Sequence, residues 1–360
     1  MSLRLIRGTV LTVAFATGWL AADAARSAGP VVGWGENTDG RATPPPSVDG
    51  TDGTATAIAA GYYHSCAIQA GTGKVVCWGA SSFGQTTPPP SVDGTDGTAT
   101  AIASGASHSC AIDAGTGKVV CWGYNVYGGA TPPPSVDGTD GTATAIAAGT
   151  AHSCAIEAGT GKVVCWGYNA DSQASPPASV NGTTGTATAI AAGMSHSCAI
   201  EAATGKVVCW GANTDGQATP PPSVDGTAGT ATAIASGRYH SCAIHEGTGK
   251  VVCWGASSIG QATPPPSVDG TDGTATAIAA GTSHSCAIEA GSGNVACWGD
   301  DHFGEATPPP SVDGTDGTAS AISVGDLYTL AIAAPEPAAA LASAASLGSL
   351  LVLARRRRLG

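Results

Sequence analysis

Positive charge is scarce in this sequence: 14 lysines and arginines stand against 26 aspartates and glutamates, a formal net charge of −12 over 360 residues. A protein that grips a phosphate backbone needs a basic surface, so nucleic acid is not expected as a partner. The balance suits an acidic soluble protein outside the cytoplasm, in the company of cations or neutral sugars. Aromatic residues are also few, with seven tyrosines, three phenylalanines and eight tryptophans, so the places where they gather carry information. No stretch has the alternating acids of an EF-hand loop. Nor does Ser65, directly after His64, make a hydrolytic dyad with it, because adjacent strand residues point to opposite faces. No cofactor is expected; Ca2+ is the one candidate. Asp93 and Asp96, echoed by Asp49/Asp52, Asp137/Asp140, Asp269/Asp272 and Asp313/Asp316, offer it oxygens, but Asn181/Thr184 and Asp225/Ala228 break the pattern. Asx-type turn chemistry is the plainer reading.

What is present is a repeat of 44 residues. His-Ser-Cys recurs at His64, His108, His152, His196, His240 and His284, and eleven residues after each of those cysteines comes another, in Cys-Trp-Gly. Self-similarity at this period means a repeat architecture, each unit burying its apolar face against its neighbours. Gly (52) and Pro (23) recur at fixed offsets within it, so they punctuate turns rather than mark disorder.

Both ends read as processing segments. Arg4 and Arg7 precede an apolar stretch from Val10 to Ala22, and Ala22-Asp23-Ala24 supplies small residues for cleavage, so residues 1–24 are expected to be a secretory signal peptide. The 17 residues from Ala338 to Ala354 carry no charge and are followed by Arg355 to Arg358. As a helix this span would reach ~26 Å, barely a bilayer core, with the arginines on the cytoplasmic side. Pro335-Glu336-Pro337, the apolar span and the arginine cluster closely resemble the PEP-CTERM sorting signal of Gram-negative bacteria over residues 335–360. The resemblance implies an exosortase-type sorting protease as a partner, and membrane contact only through the C-terminal segment.

An even cysteine count at regular spacing in an exported chain reads as disulfides. If Gly71-Thr72 is a two-residue hairpin turn, Cys66 lies opposite Cys77 and Ile68 opposite Val75. The same register pairs Cys110 with Cys121, Cys154 with Cys165, Cys198 with Cys209, Cys242 with Cys253 and Cys286 with Cys297. The competing reading is zinc, because each histidine stands two residues before a cysteine and shares its face. The default for the histidine is a buried ring with a hydrogen-bonded nitrogen.

Within one unit, Thr54 to Ala60, His64 to Gln69 and Lys74 to Trp78 read as strands, with an irregular fourth, outer strand near Pro88–Pro90. Four antiparallel strands in such a unit make a propeller blade. Incomplete units count the blades. Val31 to Gly35 is a third strand without a hairpin, and Gly325 to Ile332 is a second strand with no third behind it. The expected fold is therefore all-β: a seven-bladed β-propeller over residues 31–334, its ring closed by the N-terminal strand completing the last blade. Gly33 and Leu330 stand where the seventh cysteine pair would be. The segment Ile58 to Gln85, with its Gly-x-x-His, hairpin, Trp-Gly and Gly-Gln, strongly resembles the repeat of the regulator of chromosome condensation family, with seven matches across Val31 to Ala334. The resemblance implies the same seven-bladed propeller. Family members range from nuclear exchange factors for a small GTPase to secreted inhibitors of β-lactamases. Shorter blades, acidity and the export signal set this chain apart from the nuclear type, so exchange activity is not implied.

Two places vary in every repeat: the pair between Gly and His, and the four residues after Trp-Gly. Tyr62, Tyr63, Phe83, Tyr124, Tyr127, Tyr168, Arg238, Tyr239 and Phe303 lie there. Both segments emerge at one end of an up-and-down blade, while the Gly-Thr-Gly-Lys turn at the other end barely changes. A binding rim for a glycan or an envelope protein is the functional expectation, weighed against drift in surface loops. The chain is thus expected to be an exported, non-catalytic interaction propeller at the cell surface or in the extracellular matrix. The alternatives are a polysaccharide-acting lyase or hydrolase, needing His245, His302 or Arg238 to converge over the channel, and an inhibitor of another exported protein.

Overall fold

Twenty-one strands in seven three-stranded antiparallel sheets make up the computed structural model, which describes residues 28–335. The signal-like residues 1–24 lie outside the described residues, as do Glu336, Pro337, the apolar span 338–354 and the arginine cluster. Strand β1 (Val31–Gly35) stands apart from its sheet in sequence. Blade 1 follows as β2 (Ala55–Ala60), β3 (His64–Gln69) and β4 (Val75–Gly79), and blade 2 as β5 (Ala99–Ser104), β6 (His108–Asp113) and β7 (Val119–Gly123). Blade 3 is β8 (Ala143–Ala148), β9 (His152–Glu157) and β10 (Val163–Gly167); blade 4 is β11 (Ala187–Ala192), β12 (His196–Glu201) and β13 (Val207–Gly211). Blade 5 is β14 (Ala231–Ser236), β15 (His240–His245) and β16 (Val251–Gly255); blade 6 is β17 (Ala275–Ala280), β18 (His284–Glu289) and β19 (Val295–Gly299). Blade 7 joins β20 (Ala319–Val324) and β21 (Tyr328–Ala333) to β1, which pairs with β21 from Val31↔Ile332 to Gly35↔Tyr328. The ring is closed by the N-terminal strand.

The first strand of each blade faces the axis. Its Ala-rich sequence lets seven strands approach closely around a channel cavity of about 140 Å³, lined by residues such as Ile102, Ala103, Ile146, Ala147 and Ser323. Cores form between blades rather than within them. Ile112, Val119 and Val136 of blade 2, for example, pack with Ile146, Ala155 and Trp166 of blade 3. The closing seam is built the same way, Val31, Tyr328, Leu330 and Ile332 meeting Ile58, Ala67 and Trp78.

The expected fourth strand is absent: each blade has three. Pro88, Pro89 and Pro90 have no N–H to give a ladder. Their carbonyls instead accept turn bonds, from Val92 and Asp93 to Pro89 and from Asp96 to Pro90. The turn seats Val92, fully buried, against the outer edge through one bond from Val75 N to Val92 O (2.8 Å). The hairpin register is as the spacing predicts, with Cys66↔Cys77 and Ile68↔Val75, but the turn is longer than two residues. Gln69 N donates to Lys74 O and Gly73 N to Gln69 O, enclosing four residues.

All twelve cysteines are bonded within their own blades, Cys66–Cys77 through Cys286–Cys297, with Cα atoms 4.0–4.1 Å apart. Their sulfurs are thereby removed from metal ligation. Blade 7 lacks the bond, and Gly33 shows why a side chain does not fit there: an added Cβ would fall 2.3 Å from the Ala42 carbonyl oxygen. Gly33→Ala is therefore expected to destabilise the ring by about 1–3 kcal/mol, since the obstacle is backbone. Denaturant titration checks this; a midpoint equal to that of the parent protein would refute it.

Candidate binding face

The two variable segments of each repeat meet on one end of the ring. Ala80 N donates to Tyr63 O (2.9 Å), Tyr124 N to Ser107 O (2.8 Å), Tyr168 N to Ala151 O (3.0 Å) and Glu36 N to Leu327 O (2.8 Å). Each bond ties the loop after a third strand to the loop after a first strand. At the other end the near-constant turns hold the next blade, as in Ala99 N to Gly73 O (2.8 Å).

Under the variable face runs a circuit of buried side chains that fixes the loops. His108 Nε2 lies 2.9 Å from Ser153 Oγ of the next blade, His152 Nε2 2.9 Å from Ser197 Oγ, and His196 Nε2 2.8 Å from Ser241 Oγ. Each serine hydroxyl donates its one proton to a backbone carbonyl, Ser153 to Gly129 O (2.9 Å), so the serine oxygen accepts from the imidazole N–H. The same carbonyl takes the indole N–H of Trp166 (2.8 Å). In blade 7, Tyr328 and Thr329 replace His and Ser: the Tyr328 hydroxyl sits 2.8 Å from Ser65 Oγ, and His284 Nε2 sits 2.9 Å from Thr329 Oγ1. The histidines are structural. Burial holds His64, His152, His196 and His284 down to about 3, and His108 and His240 to about 4, so all stay neutral. Ser153→Ala leaves the buried His108 N–H without its partner, while the Gly129 carbonyl keeps the Trp166 N–H; a loss of about 1–3 kcal/mol is expected, read by urea denaturation, and an unchanged midpoint would refute the role.

On this support the predicted rim residues sort into separate groups. Phe83, Tyr124, Tyr127 and Tyr168 form one strip across blades 1 to 3, in edge-to-face contact, with successive centroids at 4.9, 6.3 and 4.9 Å. Phe83 is 53% exposed, Tyr127 51% and Tyr168 38%; Val126, absent from the predicted set, is 72% exposed beside them. Tyr62 does not join them. Its hydroxyl accepts from Thr150 Oγ1 (3.2 Å), two blades away, and it helps line a cavity of about 90 Å³ at the channel mouth with Met194 and Arg238. Burial raises its phenol pKa. Tyr63 packs at right angles to Tyr62 (6.3 Å). Arg238 lies over the Tyr239 ring (4.9 Å to the centroid), and Phe303 pairs with its neighbour His302 (4.9 Å).

Arg41 was missed in the sequence. It replaces the glutamine found at Gln85, Gln173, Gln217 and Gln261, and this break in the repeat was the available signal. Buried at the seam, it pairs with Glu36 and donates from Nη1 to Tyr62 O (2.7 Å). The residues of the enzyme alternative do not converge. Arg238 precedes β15 and His245 ends it, roughly 20 Å away at the rise of a strand. His302 lies in an outer loop of blade 6. In the aspartate turns, Asp93 Oδ1 accepts from Thr95 N (2.8 Å), and Asn181 makes the same bond to Thr183 N (3.0 Å).

The regulator of chromosome condensation (RCC1) repeat pattern matches residues 55–85, 99–128, 143–173, 187–217, 231–261 and 275–305. These segments cover more than half of the chain. It belongs to the regulator of chromosome condensation repeat family. Each matched repeat runs from the first strand of a blade to the loop that carries its variable residues, and blade 7, split between the two ends, is not matched. No curated protein matches the chain. Among solved structures, the ectodomain of the receptor kinase CR4 from Physcomitrella patens is similar, at 26% identity over 75% of this chain and 68% of that one, with a TM-score of 0.59. The CRINKLY WD40 ectodomain of the Arabidopsis thaliana receptor kinase ACR4 is 23% identical over 76% of this chain and 89% of that one, with a TM-score of 0.58. Prp20p of Saccharomyces cerevisiae, 17% identical over 86% and 92% with a TM-score of 0.63, shares the fold. For this family member, six disulfides and the likeness to a receptor ectodomain point to an extracellular or exported protein.

Proposed function

We propose that this chain is an exported, non-catalytic interaction propeller of the cell envelope or extracellular matrix, which binds a glycan or an envelope protein through its variable face. One observation carries the reading: the two segments that vary in every repeat, and the exposed aromatics, gather on one end of the ring, while the turns at the other end are nearly constant. The PEP-CTERM-like tail supports delivery to the envelope through a sorting protease. The separation of Arg238, His245 and His302 supports binding over polymer cleavage.

The test compares the full chain with a variant in which every variable loop carries the blade 5 sequence after Trp-Gly, Ala256-Ser257-Ser258-Ile259. The parent is expected to retain a ligand from a glycan panel or an envelope extract, and the evened variant to lose it at an unchanged thermal midpoint. Equal retention by both proteins, or turnover of a polysaccharide by the parent, would overturn the proposal.

A further inference from the structure

Resting on that reading of the variable face, we propose that its partner is a polypeptide, one that lays apolar side chains across Phe83, Tyr124, Tyr127 and Tyr168 while its lysines or arginines meet the carboxylates at both ends of that strip. The repeat itself shows the bracketing. The position held by Phe83 and Tyr127 in blades 1 and 2 is Asp39 in the repeat before, and Asp171 then Asp215 in the two that follow. All three aspartates are exposed. An uncharged aromatic strip therefore runs between acids.

Lysine is confined to one end of the ring, where it stands among the more numerous carboxylates of the aspartate turns, so both ends are net negative and only the lysines are segregated. All five lysines, Lys74, Lys118, Lys162, Lys206 and Lys250, follow the near-constant turns. Among the described residues, the cations of the variable face are Arg41, which is buried and paired with Glu36, and Arg238, which leans on Tyr239 and lines the channel mouth. Asp39, Asp171, Asp215, Asp300, Asp301 and Asp326 leave this face negative. It repels anionic polysaccharide and draws in a basic partner.

Local hydrogen bonding favours a polypeptide over a neutral sugar. A sugar stacked on a tyrosine also needs side chains free to bond its hydroxyls, and the amides nearest the strip are each engaged in closing their own loop, with one N–H of each left over. Asn125 donates to Thr131 Oγ1 (2.8 Å) and accepts from Ala130 N (2.9 Å). Asn169 does the same with Ser175 Oγ (2.9 Å) and Ala174 N (2.8 Å). What the strip offers outward is ring surface, tyrosine hydroxyls and Val126, the composition of a protein-binding hot spot with acids at its edge.

The test immobilises the full chain and measures three probes: an alternating Leu/Lys peptide, an alternating Leu/Glu peptide of equal length, and a neutral β-glucan oligosaccharide. The Leu/Lys peptide alone is expected to bind. Phe83→Ala with Tyr127→Ala should weaken it by about tenfold or more, as loss of hot-spot rings does. Asp171→Asn with Asp215→Asn should weaken it severalfold and flatten its salt dependence, and Lys118→Ala should change nothing. Leu/Lys binding that the ring variant leaves intact would overturn the proposal, since charge alone would then hold the peptide. Oligosaccharide binding that the ring variant loses would also overturn it, while leaving the proposed binding face standing. So would self-association that the ring variant abolishes. If no probe binds and the evened-loop variant also retains the native ligand, both proposals fall together.

Discussion

Lowering the pH from 7 to 5 is expected to unfold the ring. Six imidazoles are buried and held neutral, four of them with their pKa brought down to about 3 and two to about 4. In the unfolded chain each titrates near the ordinary value of about 6.5. Between those limits the unfolded state binds a proton that the folded state refuses, so stability rises with pH and falls as pH drops below about 6.5. At pH 5 the loss is about 2 kcal/mol per histidine, and about 12 kcal/mol for six if they act independently. That is the size of a whole domain's net stability. The loss stops growing only below about pH 3–4, where the folded imidazoles take up protons as well. Glu305, whose pKa burial raises, acts in the opposite sense but is a single group. Guanidinium midpoints measured from pH 7 to 4.5 check the expectation. A flat profile would contradict it, and His152→Gln should shallow the slope by about one part in six.

Complete reduction is the second large effect. Each disulfide closes a loop with a sequence separation of 11, worth roughly 2–3 kcal/mol on the chain-entropy account. Six of them, all within blades, contribute roughly 12–18 kcal/mol on the same account, spread evenly around blades 1 to 6. The first cysteine of each pair is fully buried, so reduction should be slow in the native state and fast once the ring is loosened by denaturant. Reduced and alkylated protein is expected to lack native near-ultraviolet circular dichroism at neutral pH. An unaltered denaturation midpoint after full alkylation would show that packing between blades suffices alone.

Much of this fold could be read before any coordinates. The His-Ser-Cys and Cys-Trp-Gly spacing gives the register, because a four-residue turn from Ala70 to Gly73 and a two-residue turn at Gly71-Thr72 place Cys66 opposite Cys77 alike. The orphan strands Val31–Gly35 and Tyr328–Ala333 reveal the closure. The outer edge was misread because proline tolerance at an edge was taken for strand formation, whereas three missing N–H groups produce a turn. The role of the histidines was visible only as burial. Their partner lies 45 residues on, in the next blade, and no pattern within one repeat points to it. The aromatic residues were found but not their grouping, since contact between Phe83 and Tyr124 depends on how adjacent loops lean across a blade boundary. Asn125 and Asn169, which lie in the variable loops, each close their own loop through bonds that spacing alone does not reveal.

Where the chain enters and leaves the ring has a consequence for how it works. Gly29 bonds to Ala55 as Gly73 does to Ala99, and Ala334 N donates to Thr318 O as Ala70 does to Thr54, so both flanking segments depart from the lysine-bearing end. A mooring made through either segment therefore turns the Phe83–Tyr168 rings toward the open medium. Were the chain held by either segment, the rings would lie on the side of the propeller away from the attachment.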